Sequence, residues 1–394
     1  MLRSVKSFDL KKKKILLRVD FNVPMEQSKV VDDFRIRAAL PTIQHCLRQG
    51  AALVLMSHLG RPKGKVVPSL SLIPVGETLA DLLEMPIKFS DDCVSEDSHD
   101  VSLGLKPGEI HLLENLRFHS SEIWNRPDFS IALAKHGDIF INDAFGTAHR
   151  AHASNVGVTV NFTQKGIGLL MEKELHFLSD LTKKPKRPFV VVLGGAKIGT
   201  KLNLILRLIN ASDMILIGGG MAFTFLKTMG KHVGKSLVDT GATAAAKTIL
   251  RNARQKVQLI FPEDVRCAIG SDKPDKISVH TASHIPDDQM GLDIGPETIK
   301  QFRDLILSAG TVLWNGPMGV FEVEEFSAGT KAIGEALAAA TQGGALTVVG
   351  GGDSAAAIKK FGLMEAVTHV STGGGASLEL LAGNRLPAIA ALEK

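Results

Sequence analysis

Each short aliphatic run in this chain ends in either glycine or a polar, often cationic cluster, and longer amphipathic segments separate the runs. ILLRVDFNVP, AALVLMSHLGRP, IHLLENLRF and DIFINDAFG occupy the first half. FVVVLGGAK, MILIGGG, QLIFPEDV, TVLWNGPMG, LTVVGGGDS and VTHVSTGGG occupy the second. This alternation is the pattern of βαβ units and specifies an α/β architecture with parallel sheets. At 394 residues the chain exceeds the size at which single cores usually split, so each half is expected to fold on its own core.

A boundary is legible between the halves. GIGLLMEKELHFLSDLT, residues 166–182, sets Ile167, Leu170, Met171, Leu178 and Leu181 near one helical face, and KKPKRP then stops the helix. The expected organisation is a first domain over 1–165, a connecting helix over 166–182 and a second domain over 183–379. There is no exact internal repeat or long low-complexity tract.

In open parallel sheets ligands sit beyond the carboxyl ends of the strands, where the two halves differ. First-half ends carry Asp20 and Asn22, His58 and Arg61, Arg117, then Asp143 and Arg150; Arg35, in DDFRIRAAL, leads into a helix. Any one of Arg35, Arg61, Arg117 and Arg150 alone reads as a surface residue. Gathered at one sheet edge they would repel one another unless an anion neutralised them, and the guanidinium fork suits phosphate and carboxylate oxygens. The inferred ligand is small and multiply negative.

Second-half ends carry Gly194 and Gly195, Gly218 to Gly220, Gly316, Gly350 to Gly352 and Gly373 to Gly375. Glycine permits close approach of backbone N–H groups, and a helix N-terminus behind it favours phosphate. This half reads as a nucleotide site. Asp353, beside these glycines, suits magnesium, which needs one or two protein carboxylates and takes other ligands from phosphate and water; as a lone Asp it equally suits a helix N-cap.

Two local patterns mislead. GKHVGKS, Gly230 to Ser236, has one residue too few between its glycines for the common phosphate loop and follows a helical pattern. GGGDSA, Gly350 to Ala355, fits a relaxed dinucleotide fingerprint, but the next strand lacks the acidic ribose ligand, which weakens a nicotinamide-dehydrogenase reading. His149 and His152 lie three apart without a zinc-type ligand pattern; phosphate contact or solvent exposure suits them better.

Composition excludes more than it assigns. No stretch approaches the roughly 18 apolar residues of a membrane span. The basic start resembles a signal peptide until Arg18 and Asp20 interrupt its apolar stretch, so Lys11 to Lys14 read as a solvated turn before a strand. Cys46, Cys93 and Cys267 show no CxxC spacing and suit free thiols in a reducing cytoplasm. A net charge of +5, with no Tyr and 5% aromatic residues, offers little for nucleic-acid binding but is compatible with an anionic substrate.

RVDFNVP, SHLGRP, ENLRF, NDAFGTAHRAHAS, GGAKIGTK, IGGGMAFTFLK, GLDIGP, WNGPMGVFE, GGGDS and STGGGAS together resemble the phosphoglycerate kinase family over nearly the whole chain. The resemblance implies two Rossmann-like domains joined by a connecting helix with a hinged cleft, a tail returning to the first domain from about residue 380, and a monomer. It implies Mg-dependent, reversible phosphoryl transfer between 1,3-bisphosphoglycerate with ADP and 3-phosphoglycerate with ATP. It assigns Asp20, Asn22, Arg35, His58, Arg61, Arg117 and Arg150 to the triose substrate. To the nucleotide it assigns Gly195, Lys201, Gly219, Gly291, Leu292, Asn315, Pro317, Glu322, Gly351, Gly352, Asp353 and Ser354, with Asp353 on magnesium.

Arg35, Lys197 and backbone amides around Gly351 and Gly373 are expected to neutralise the migrating phosphoryl group. No general base is needed, because an acceptor carboxylate is already ionised at neutral pH. Ligands on separate halves must approach for in-line transfer, so hinge closure is expected.

Overall fold

The computed structural model describes residues 2–196, 198–272 and 276–393 and divides into two compact units, Met1–His176 with Arg385–Lys394, and Phe177–Asn384. Unit one is built on a parallel sheet of β1 (Lys14–Arg18), β2 (Ala52–Met56), β3 (Lys88–Ser90), β4 (Ile110–Leu113), β5 (Ile139–Asn142) and β6 (Lys165–Ile167), in the order β3-β4-β2-β1-β5-β6. β2, β4 and β5 are buried along their full lengths, which is why apolar residues occupy both of their faces instead of alternating, with only His111 and Asn142 as buried polar members. Ile15, Leu17, Leu53, Leu55 and Ile141 form the centre of this core, each removing enough apolar surface from water to contribute about 1.5–3 kcal/mol.

The chain leaves β1 toward β2 on one side and later returns to place β5 on the other. That reversal opens a crevice beyond the carboxyl end of β1, where Arg18 pairs in register with Met56 of β2 and Asn142 of β5.

Unit two repeats the principle. Its parallel sheet consists of β7 (Phe189–Leu193), β8 (Met214–Ile217), β9 (Gln258–Ile260), β13 (Thr311–Asn315), β14 (Leu346–Val349) and β15 (His369–Val370), in the order β9-β8-β7-β13-β14-β15. The reversal lies between β7 and β13, so Gly194 and Gly316 begin neighbouring loops. Between β9 and β13 the chain inserts an antiparallel sheet, β10 (Asp264–Ala268), β11 (Ser278–Thr281) and β12 (Met290–Ile294), in the order β11-β10-β12. An all-parallel expectation does not contain it.

In chain order the connecting helix follows β6 and precedes β7, running Leu169–Lys183. Ile167, read from periodicity as part of its apolar face, instead pairs with Asn142 at the end of β6. The expected apolar residues Met171, Leu178 and Leu181 are fully buried. Near the C-terminus, Ala388 N–H donates to the Ala148 carbonyl at 3.1 Å within unit one. Among the described residues no helix is long and apolar enough to cross a membrane.

Candidate functional site

On unit one, Arg18 ends β1 fully buried, its Nε donating to Ser154 Oγ at 2.9 Å and Nη1 to the Val19 carbonyl. Ser154 is held by Glu122, which accepts from its N–H at 2.9 Å and its hydroxyl at 2.6 Å. Burial lowers the Arg18 pKa, opposed by the Glu122 and Asp20 carboxylates. Neither Arg18 nor Glu122 is assigned to the site from sequence, yet through Ser154 the two buried side chains are linked at the end of β1.

The loop after β1 turns Asp20 and Asn22 toward the helix Phe34–Arg48, whose second residue is Arg35. Arg35 Nη1 donates to Asp20 Oδ2 and to the Asn22 carbonyl, both at 3.1 Å. Asn22 Oδ1 accepts from Gly60 N–H at 2.8 Å, and Arg117 Nη1 donates to the Gly60 carbonyl at 2.7 Å, tying the ends of β1, β2 and β4 together. Burial, with Arg18 and Arg150 adding, lowers Arg117 to about 10.

His58 sits among these groups, 3% exposed, with Nδ1 3.3 Å from Arg18 Nη2. A guanidinium only donates, so Nδ1 accepts and the neutral ring carries its proton on Nε2. Burial, then Arg18, Arg117, Arg35 and Arg150, hold its pKa well below the usual histidine range. Arg18 touches the imidazole and the charges of Arg117, Arg35 and Arg150 also act on it, opposed by the carboxylate of Asp20, whose Oδ1 lies 3.8 Å from Nδ1, and by Glu122 near Arg18. The surplus is positive and suits a multiply charged anion.

Arg150 is half-buried and donates to His149 Nε2 at 3.3 Å, whereas Arg61 is exposed on the loop after β2. Asp143 does not join the strand-end cluster. Fully buried, it accepts from Met171 N–H at 2.9 Å, and burial raises its pKa to about 6. His152 packs with Nδ1 3.7 Å from Glu122 Oε1 and is buried, which removes the solvent exposure weighed for it.

On unit two, Gly194 N–H donates to the Asn315 carbonyl at 3.0 Å and Gly195 N–H to that of Pro317 at 2.8 Å, closing the β7 and β13 loops on each other. Lys201 Nζ bridges the same loops, donating to the carbonyls of Gly194 at 2.7 Å and Asn315 at 3.2 Å. Burial lowers it to about 8, and Asp353 partly restores its charge. Gly219, at φ +61°, opens the helix Gly219–Thr228; a Cβ there would stand 2.6 Å from the Gly195 nitrogen.

Beyond β14, Gly351 at φ +95° caps the helix Gly352–Lys360, and a Cβ would stand 2.7 Å from Asn315 Nδ2. That Nδ2 donates to the Gly350 carbonyl at 2.7 Å, while buried Ser354 accepts from Gly316 N–H at 2.6 Å. Ser354 therefore orders a loop from inside the protein. Asp353 lies in the helix's first turn with an exposed side chain; the N-cap is Gly351, which removes the capping role weighed for Asp353. Gly373 N–H donates to Ser371 Oγ at 3.1 Å.

These loops border a cavity of about 290 Å³ lined by Gly195, Gly219, Gly220, Phe223, Leu237, Met290, Gly291, Leu292, Pro317, Met318, Glu322 and Asp353. Phe223, Leu237, Met290 and Met318 supply apolar walls absent from the sequence-based expectation. Gly291 lets the Phe223 ring approach, since any Cβ would collide with it. Buried Asp293 accepts from the backbone of Ile294 and Gly329, and burial raises its pKa to about 7. An apolar slot bordered by strand-end glycines suits a base and its phosphates. Of the two exposed carboxylates that line the slot, Glu322 and Asp353, Asp353 lies in the first turn of a glycine-led helix and fits a magnesium ion whose other ligands are phosphate and water. Lys197 lies outside the described residues.

A sequence profile described as PGK: Phosphoglycerate kinase matches residues 5–384. Curated phosphoglycerate kinases of Chloroherpeton thalassium and Chlorobaculum tepidum are 51% and 50% identical, over 96% and 99% of this chain and the same shares of theirs. Solved phosphoglycerate kinases of Coxiella burnetii and Pyrococcus horikoshii superpose with TM-scores of 0.88 each, at 39% and 31% identity, covering 100% of this chain and 99% and 98% of theirs. With its two sheet ends, its sequence and its fold all in agreement, the chain belongs to the phosphoglycerate kinase family.

Proposed function

We propose that the chain transfers a phosphoryl group reversibly between 1,3-bisphosphoglycerate with ADP and 3-phosphoglycerate with ATP, as a monomeric, cytoplasmic enzyme of glycolysis and gluconeogenesis. The supporting observation is the contrast between the two sheet ends: the charges of four guanidiniums acting on a buried His58 at one, a glycine-bordered cavity at the other.

Asp20 and Asn22 hold Arg35 in position while Arg35, Arg61, Arg117 and Arg150 neutralise the triose anion, with His58 neutral and donating from Nε2. The acceptor carboxylate is ionised at neutral pH, so positioning and charge neutralisation supply the catalysis. Arg35, Lys197 and the amides of Gly351 and Gly373 stabilise the migrating phosphoryl group. Gly195, Gly219, Gly291, Leu292, Pro317 and Glu322 receive the nucleotide, and Lys201, Asn315, Gly352 and Ser354 keep its phosphate loops in shape. Magnesium, held by Asp353, would neutralise phosphate charge. Transfer requires both ligands to meet, so the reading carries domain closure with it.

Calorimetric titration of the purified chain tests the ligand assignment. 3-Phosphoglycerate and Mg-ADP should each bind at one site, with Arg117→Ala weakening only the first and Gly291→Val only the second. Loss of both ligands in either folded variant would count against separate sites.

A further inference from the structure

We propose that Asp92, Cys93 and His119 form a binding site for a thiophilic divalent cation of the zinc type, separate from the kinase reaction. Asp92 and Cys93 follow β3, and His119 follows the short turn Leu116–Phe118 beyond β4. β3 and β4 are parallel neighbours, so their carboxyl ends deliver the three residues to one place. A carboxylate oxygen, Sγ and an imidazole nitrogen lie within 4.8 Å of one another, the one such group among the described residues. Tetrahedral zinc ligands stand about 3.3–3.8 Å apart, a separation that small side-chain adjustments reach.

Two of the donors are already oriented. Asp92 Oδ1 accepts from Val94 N–H at 2.6 Å, leaving Oδ2 facing His119 Nε2 at 2.8 Å. The His119 ring rests against Phe129 with centroids 5.3 Å apart. The Asp92 and His119 side chains are 37% and 32% exposed, whereas Cys93 is 1% exposed, so a cation would enter from solvent and meet the thiol last. A plain Asp92–His119 ion pair accounts for two of these groups but not for the sulfur beside them. Mixed oxygen, nitrogen and sulfur donors select a borderline-soft ion over magnesium, and three protein ligands leave a fourth position for water. On binding, Cys93 releases its proton to solvent, and thiolate and carboxylate together balance the double positive charge.

The test is a cobalt(II) titration of the full-length, metal-stripped chain without nucleotide. One equivalent should produce a thiolate-to-cobalt charge-transfer band and tetrahedral visible bands, all displaced by zinc. Cys93→Ser should abolish the charge-transfer band, Cys46→Ala and Cys267→Ala should retain it, and His119→Gln should weaken binding more than about tenfold. Absence of the band in the wild type, or its persistence in Cys93→Ser, overturns the proposal. Because Cys93 is buried, a second readout avoids its substitution: zinc should raise the melting temperature of the wild type but not of half-exposed His119→Gln. Equal zinc shifts in both would also overturn it.

Discussion

Arg35 donates through Nη1 to Asp20 Oδ2 at 3.1 Å, joining a carboxylate that is 7% exposed to a guanidinium side chain that is 30% exposed. The pair aims a cation at the crevice while leaving its outer face free for a ligand. Arg35→Ala should cost about 3 to 5 kcal/mol of transition-state stabilisation, a fall in kcat/KM of about two to four orders of magnitude. Asp20→Asn should cost less, about tenfold, because the Asn22 carbonyl still holds Arg35. Steady-state kinetics on both variants check this; near wild-type turnover in Arg35→Ala would remove Arg35 from the reaction.

Lys201 is expected to act on the nucleotide through the loops it bridges. Lys201→Met removes its bonds to the Gly194 and Asn315 carbonyls, costing about 1.5–3 kcal/mol in stability for charge-assisted bonds. The KM for nucleotide should rise about tenfold while that for 3-phosphoglycerate stays unchanged. With its pKa near 8, the wild type should lose nucleotide affinity above that pH, and the variant should not. Identical pH profiles for the two proteins would contradict the assignment.

Gly291→Ala should narrow the cavity, because the new Cβ must displace the Phe223 ring. Overpacking of this kind costs about 1–3 kcal/mol. Weaker Mg-ADP binding with unchanged 3-phosphoglycerate binding, measured by calorimetry, is the expected outcome. Unchanged nucleotide affinity would place the nucleotide elsewhere.

His111 tests the pH response of unit one. Its ring is fixed between Ser90 and Ser102 hydroxyls at 2.7 and 2.8 Å, and burial, with Lys88 adding, lowers its pKa from 6.5 to about 4. Above pH 6.5 neither state carries the proton and the contribution is complete. Between 6.5 and about 4 the unfolded chain takes up a proton that the folded chain refuses, so stability falls as pH drops, by up to about 1.4 kcal/mol per pH unit. Asp143 and Asp293 act with the opposite sign: raised to about 6 and 7, they favour the folded state at low pH, an advantage lost as pH rises. Comparing urea melts of the wild type and His111→Asn isolates the histidine. The variant should show the shallower acid loss; parallel curves would contradict the account.

Much of this was legible because βαβ units write their strands as apolar runs and their sites at strand ends. All six strands of the unit-two parallel sheet coincide with runs identified from sequence. Short β3 and β6 escaped because Lys88–Ser90 and Lys165–Ile167 are too brief and polar to show a period. The antiparallel insertion escaped because β11, Ser278–Thr281, is half exposed and carries no apolar signal. Arg18 was visible only as an interruption of an apolar stretch, since Ser154, which gives it a purpose, lies 136 residues away. Phe223 and Met318 carry no site signal in the sequence; they pack in core clusters, and only the fold reveals that each also borders the cavity.

The central claim is tested most directly by adding the purified chain to ATP, Mg2+ and 3-phosphoglycerate, with glyceraldehyde-3-phosphate dehydrogenase consuming the acyl phosphate and NADH reporting it. The account predicts NADH oxidation that requires all three additions and is lost in Arg35→Ala. No ATP-dependent oxidation, with the coupling enzyme shown to be active and the chain folded, would contradict it.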